Sequence, residues 1–199
     1  MTSFAIVSNW TGEVHAQLAS ITLDNRIRYA QRHGYLELST AEPGHWGKID
    51  ALLGAWDKAD WLWWLDIDAI ITNSAIRLEE LVLGGGEVVV TCDVNGLNSG
   101  SMLLRTSEQL KSFLEEMRSR RALFNAPPYY EQTALAHMLW RVKELVRVVE
   151  QRTMNSYPNA YQRDIPEERW QAGDFVLHCP GLEFAKRQQL LRDALNSSF

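Results

Sequence analysis

A chain of 199 residues with 46% apolar and 23% charged side chains can bury an ordinary core, which excludes a disordered polypeptide. Its formal charge of −5, with no cluster of Lys and Arg, argues against a nucleic-acid partner, and no stretch is apolar and long enough for a transmembrane segment. Two distant cysteines, Cys92 and Cys179, do not make a disulfide framework; reduced thiols and a cytoplasmic location, free or peripheral to a membrane, are expected, since no signal peptide opens the chain.

Phe4-Ala5-Ile6-Val7 is a short apolar run that predicts a buried strand, followed by the polar turn from Ser8 to Gly12. Residues 13–33 predict a helix closed by Gly34, and Tyr35 to Leu38 a short strand. A helix within residues 44–59 carries Ile49, Leu52, Leu53 and Trp56 on one stripe. Eight Trp are present, and five lie between Trp46 and Trp64. The run Trp61 to Leu65 is apolar on both faces, as in a central strand covered from both sides. A short helix over 74–83, a strand from Glu87 to Thr91 and another from Ser101 to Arg105 follow. Thr106 with Gln109 predicts a capping box and a helix through about Leu123. Pro127-Pro128 breaks the chain before a helix from Glu131 to Trp140, a strand from Leu145 to Val149 and a helical tail from Leu182 to Leu195. Strands alternating with helices, without repeat or linker, predict one α/β domain over residues 1–199 with a mixed, mostly parallel, Rossmann-like sheet between helices.

In such a sheet ligands bind beyond the carboxyl ends of the strands. The end of the first strand, Ser8-Asn9-Trp10, is therefore the expected seat of a base or ribose if a nucleotide binds. Asp66-Ile67-Asp68 follows the Trp-rich strand, and extended alternation would aim both carboxylates one way. Paired carboxylates suit Mg or Mn, or else form a solvated turn. His178 follows another apolar run; an imidazole beside two carboxylates favours Mn, and an isolated structural His is the alternative. The segment from Asp93 to Gly100 is expected to be a loop offering amide donors to a ligand, or a plain turn. Lys48, Lys186, Glu131 and Gln132 stand at helix ends where phosphate or sugar contacts are possible and solvated or capping roles are ordinary.

Taken in order, Tyr29 with His33-Gly34-Tyr35, Trp46-Gly47-Lys48, Trp63 to Ala69, Gly96 to Gly100 with Leu104-Arg105, Glu131 to Leu135, and Gly173-Asp174-Phe175 with His178 and Gly181 resemble one family. It is the glycosyltransferase family that includes yeast Golgi α-1,2-galactosyltransferase, a yeast α-1,6-mannosyltransferase subunit and plant xyloglucan xylosyltransferases. The resemblance implies a GT-A fold, a nucleoside-diphosphate sugar donor, a carbohydrate or glycan acceptor, Mn2+ with Mg2+ as the substitute, and retention of configuration. It makes Asp66, Asp68 and His178 the metal ligands. It places Asn98, Glu131 and Gln132 around the reacting sugar. Val7, Ser8, Asn9, Trp10, Arg26, Lys48, Asp66, Ile67, Gly181 and Lys186 are expected on the donor side. Plant members carry a Lys five positions after the metal His; here that position is Glu183, with Lys186 as the candidate replacement. The absent membrane anchor suggests a bare catalytic domain from a bacterial or viral setting. The rival activities are a metal-dependent phosphoesterase or nuclease, with Asp93 and Asp174 as further acidic ligands, and a non-catalytic sugar-nucleotide-binding module.

Overall fold

The computed structural model describes residues 2–44, 46–125, 130–158 and 169–197. The expected break at Pro127-Pro128 lies outside them. Strand β1 (Phe4–Val7) runs parallel to β2 (Leu36–Glu37) on one side and to β3 (Trp61–Leu65) on the other. Beyond β3 lie β6 (Gly96–Arg105), β5 (Val88–Asp93) and β7 (Val146–Val149), in the sheet order β2-β1-β3-β6-β5-β7. Only β6 runs against its neighbours, so the sheet is mixed and mostly parallel, as expected.

Strand alternation distributes the apolar side chains to both faces. Ala5, Val7, Leu62 and Trp64 join one buried layer with Ile49 and Leu52 of α2 (Gly47–Gly54), Leu110, Phe113 and Leu114 of α4 (Glu108–Ser119), and Ala134 and Leu135 of α5 (Tyr130–Met138). Phe4, Ile6, Trp61, Trp63 and Leu65 join the other, with Tyr29 and Ala30 of α1 (Gly12–His33) and Leu78 and Leu81 of α3 (Leu78–Val82). Trp63 stacks on Phe175 with ring centroids 5.0 Å apart, and its indole N–H donates to Ser101 Oγ at 3.0 Å. Most of the unusual tryptophan content is therefore core.

Several expected elements differ. The segment 93–100 is not a loop: β5 and β6 form a hairpin, with Asp93 opposite Gly96 at positive φ. The helix expected from the Thr106 capping box starts one residue later, because Thr106 Oγ1 donates to the Ala59 carbonyl at 2.8 Å and Ser107 becomes the N-cap. It ends at Ser119, and Arg121–Phe124 form a 3₁₀ turn. The helix expected over 74–83 is confined to Leu78–Val82. The tail helix α7 is shifted to Phe184–Ser197.

Three short elements had no counterpart in the sequence analysis: β4 (Ala69–Ile71), α6 (Gln151–Met154) and β8 (Val176–His178). β4 and β8 pair antiparallel, and Ala69 lies opposite His178. Ile67, Ile70, Leu177 and Cys179 pack there with Leu18 and Ile21 of α1 and Leu191 of α7.

The approach to β8 is fastened by Asp174. Its carboxylate accepts two bonds from the Arg152 guanidinium, at 2.7 and 3.0 Å, and others from Ser156 Oγ and Gln171 N–H, both at 2.9 Å. Burial alone would raise its pKa; the Arg152, Gln171 and Ser156 bonds outweigh that and hold it below the usual carboxylate value. A depressed carboxylate stabilises the fold above its unfolded pKa near ~4, and that contribution is lost as pH falls through the folded value. Asp174→Asn is expected to cost about 1–2 kcal/mol at pH 7, an estimate reduced because Arg152 is one-third exposed. Melting curves from pH 7 to below pH 4 check this: the wild-type advantage should shrink on acidification, and parallel curves would contradict it.

Candidate active site

The Asp66-Ile67-Asp68 segment is a turn rather than a continued strand. Asp66 N–H donates to the Gly100 carbonyl at 2.8 Å, and Ala69 N–H closes on the Asp66 carbonyl at 3.0 Å. The buried Arg26 guanidinium lies beneath it and donates to the carbonyls of Asp66 at 2.5 Å and Ala69 at 3.0 Å, and to Thr22 Oγ1 at 3.1 Å. Thr22 Oγ1 in turn donates to the Ile67 carbonyl at 2.9 Å. Burial lowers the Arg26 pKa to about 10, so the group remains a cation at neutral pH. The turn, not extended alternation, brings both carboxylates together.

Pairing of β4 with β8 supplies the third side chain. His178 Nε2 lies 3.2 Å from Asp68 Oδ1 and 3.9 Å from Asp66 Oδ2. One ligand atom from each of Asp66, Asp68 and His178 lies within 4.8 Å of the others, so the three converge as expected. His178 is 2% exposed, and its Nε2 is a buried polar atom with no hydrogen-bond partner. A buried nitrogen left without a bond and aimed at two carboxylates fits a dication that would complete all three. Among the described residues, no other group of three or more His, Cys, Asp or Glu side chains is arranged for a metal. Asp93 and Asp174, the candidate ligands of the rival phosphoesterase, are engaged elsewhere: Asp93 by Tyr157 and Asn98, Asp174 by Arg152.

A cation stands on the far side of Asp68. Arg187 Nη1 of α7 lies 3.2 Å from Asp68 Oδ2, while Lys186, one residue earlier, is exposed. Sequence reasoning missed Arg187; its facing depends on how α7 docks, which no local motif reports.

An open cleft of ≈ 230 Å³ adjoins the cluster, lined by Trp10, Thr11, Lys48, Asp66, Asp68 and Glu131 among others. Lys48 Nζ sits 3.2 Å from Asp66 Oδ1 and 3.1 Å from Glu131 Oε1, donates to the Ser99 carbonyl and Oγ at 3.0 and 2.8 Å, and lies 5.2 Å from the Trp64 ring centroid. Burial disfavours its charge, but Asp66 and Glu131 more than compensate and raise its pKa. Trp64 Nε1 donates to Asp66 Oδ1 at 2.6 Å.

The remaining expected residues divide by position. Asn9, Trp10 and Ile67 line the cleft, and so do Thr11, His15 and Gly44, which the sequence did not single out. Val7 and Ser8 are fully buried beneath it, with Ser8 Oγ donating to the Leu65 carbonyl at 2.8 Å. Asn9 braces the following chain, accepting from Thr40 Oγ1 at 2.9 Å and from Glu42 N–H at 2.7 Å. Gly181 is exposed before α7. Gln132 does not turn its carbonyl oxygen into the cleft; Oε1 accepts from Ser99 N–H at 3.0 Å and Ser99 Oγ at 3.1 Å. Glu131 is the member of the pair that lines the cleft. Asn98 is 6% exposed, and both ends of its amide are bonded within the protein.

A family model described as the galactosyl transferase GMA12/MNN10 family matches residues 4–87 and 85–189. An α-1,2-galactosyltransferase of Schizosaccharomyces pombe is 26% identical over 90% of this chain and 61% of its own. The chain spans 55–65% of the length of four S. pombe relatives of this kind. A glycosyltransferase involved in the glycosylation of the major capsid of PBCV-1 superposes with a TM-score of 0.80 at 19% identity, over 96% of this chain and 99% of that one. The galactosyltransferase LgtC, solved with donor and acceptor sugar analogs, superposes with a TM-score of 0.57 at 13% identity, over 95% of each chain. These likenesses show that the fold is GT-A.

Proposed function

The chain belongs to the galactosyl transferase GMA12/MNN10 family, and on that premise we propose that it moves a hexosyl or pentosyl group from a nucleoside-diphosphate sugar to a carbohydrate acceptor, with retention of configuration. The observation that carries this reading is the unpartnered Nε2 of His178 facing Asp66 and Asp68 at the edge of a cleft. Asp66, Asp68 and His178 would hold a divalent ion, Mn2+ ahead of Mg2+ because one ligand is an imidazole. When bound, the ion supplies positive charge for the departing diphosphate.

The chain's own residues do the rest. Trp10 offers an aromatic wall of the cleft, suited to a base or ribose. Arg187 holds Asp68 through Oδ2 and, in place of Lys186, becomes the candidate stand-in for the Lys that plant relatives carry at the position of Glu183. Lys48 keeps Asp66 and Glu131 together in one wall. The reacting sugar carbon develops oxocarbenium character, and the Glu131 carboxylate is the cleft group outside the metal set able to stabilise it. Gln132 acts at one remove by fixing Ser99, which in turn receives Lys48. Retention asks for no dedicated base, because the departing phosphate oxygen can take the acceptor proton; inversion would make Glu131 that base.

The test is a panel of nucleoside-diphosphate sugars with Mn2+ and oligosaccharide acceptors, read by release of nucleoside diphosphate and by NMR of the product anomer. Release with at least one donor and a retained anomer are expected. Hydrolysis of phosphate esters without sugar transfer would transfer the site to the phosphoesterase class.

A further inference from the structure

One buried polar chain in the molecule is used by neither the cleft nor the core, and it ends on His178. Its far end is a backbone group whose hydrogen-bonding role is fixed. Gly100 N–H donates to Asn98 Oδ1 at 2.8 Å, so that oxygen is an acceptor. The opposite end of the same amide agrees: Asn98 Nδ2 donates to the Asp93 carboxylate at 3.0 Å, a group that only accepts, and to Tyr157 Oη at 2.7 Å. Tyr157 Oη donates onward to the same Asp93 oxygen at 2.5 Å. The orientation of Asn98 is thus set from both sides.

Asn155 comes next and is fully buried. The Asn155 atom 2.9 Å from Asn98 Oδ1 must be a donor, which makes it Nδ2; it also bonds Thr91 Oγ1 at 3.0 Å. The other end of the Asn155 amide is therefore the carbonyl oxygen, and it lies 2.7 Å from His178 Nδ1. An acceptor there requires the proton on Nδ1. The lone pair of the neutral ring is then on Nε2, the atom that faces Asp66 and Asp68. Amide and imidazole orientations are inferred from networks, and this one is anchored at Asn98 by the Gly100 N–H and the Asp93 carboxylate, which cannot exchange roles.

The backbone enforces the same meeting. His178 N–H donates to the Ser156 carbonyl at 2.8 Å, so β8 is tied to the residue beside Asn155. The Asn155 main chain is held by Gln151 on both sides, with N–H to the Gln151 carbonyl at 2.9 Å and its own carbonyl accepting from Gln151 Nε2 at 2.7 Å. The imidazole also lies directly over Gly100, where an added Cβ would overlap the ring.

We propose that Asn155 is a positioning residue that locks His178 in its Nδ1–H tautomer, so that Nε2 is presented to a cation as a preformed lone pair, with the lock traceable through Asn98 to the Gly100 backbone. Metal-ligating histidines are generally held by a bond to the second ring nitrogen, and losing that bond costs typically 10–100-fold in metal affinity. The proposal rests on the metal reading above for its consequence, and on the network alone for the tautomer.

Long-range 1H–15N correlation of the imidazole ring in metal-free protein reads directly which ring nitrogen carries a proton. Titration with Mn2+ alone reads the consequence. The wild-type His178 ring should carry its proton on Nδ1. Asn155→Ala should give mixed tautomers and a 10–100-fold loss of Mn2+ affinity. Asn155→Asp keeps an acceptor opposite Nδ1 and should keep the Nδ1–H form. A wild-type ring bare on Nδ1 and protonated on Nε2 would overturn the proposal, whether or not the alanine variant folds. So would a folded Asn155→Ala protein with unchanged tautomer and unchanged Mn2+ affinity. A wild-type Nδ1–H ring in a protein that fails to bind Mn2+ would uphold the lock and remove the metal reading instead.

Discussion

Asp68→Asn is expected to lower sugar transfer by at least ~10³-fold, because the dication that Asp68 would help to hold would supply several kcal/mol of charge stabilisation to the departing diphosphate. The substitution keeps the shape of the side chain and removes its charge. It also sets an amide N–H₂ against either His178 Nε2 or Arg187, which now lie 3.2 Å from Oδ1 and Oδ2 respectively. Excess chelator should abolish transfer by the wild-type protein to the same extent. Mn2+ should restore it better than Ca2+, which prefers more oxygen ligands at longer distance. Initial rates with chelator, and after each ion is returned, make the measurement; full activity in excess chelator would remove the metal from the mechanism. A circular-dichroism melt of the variant separates lost chemistry from lost fold.

Lys48→Met should lower stability by about 2–3 kcal/mol, and the melting temperature by roughly 5–10 °C for a chain of this size. Lys48 is 8% exposed and sits between two carboxylates, Asp66 and Glu131, that are 30% and 16% exposed. Removing it leaves both anions facing one another in a partly dry wall, and two acceptors on Ser99 without their donor. The figure is set below that for a fully buried pair because solvent reaches Asp66. Since its carboxylate neighbours raise the Lys48 pKa, the group stays charged through neutrality, and the loss should be flat between about pH 6 and 9. Adding Glu131→Gln to Lys48→Met should recover part of the loss, because the remaining anion no longer has a like-charged neighbour. Calorimetric melts of the two single variants and the double variant decide. A single Lys48→Met variant melting with the wild type would show that the cation contributes nothing to the wall.

What could be read from the sequence followed from locality. The run Trp61 to Leu65 announces a central strand because five consecutive apolar residues fit nothing else so well, and Asp66 and Asp68 stand out because charge follows that run abruptly. His178 could be nominated by type, but what brings it to the two carboxylates is the three-residue pairing of β4 with β8, which is too short to leave a periodic pattern. Arg187 and Asn155 lie outside any motif; one is aimed by the docking of α7 against α1, the other by a main-chain bond to Val176 and His178 through Ser156. Gln132 illustrates the opposite case. Its position beside Glu131 was legible, yet only the fold shows that Ser99 takes its carbonyl oxygen while Glu131 lines the cleft.

The hairpin of β5 and β6 carries an irregularity with a wider consequence. Val89 pairs with Leu103 and Thr91 with Asn98, so two steps along β5 are matched by five along β6. The excess of three residues is odd, and in a strand an odd excess exchanges the faces to which side chains point. Within that stretch Ser99 serves Lys48 and Gln132 on α2 and α5, while Asn98 and Gly100 serve Asn155 and His178 beside β8. Both halves of the site therefore hang from one miscount in the ladder. Surface loops in general absorb insertions and deletions. Between Asn98 and Leu103 the spacing itself is the information: removing a single residue makes the excess even and turns the side chains beyond the gap to the wrong half. Homologous chains should accordingly vary in composition along this stretch before they vary in length.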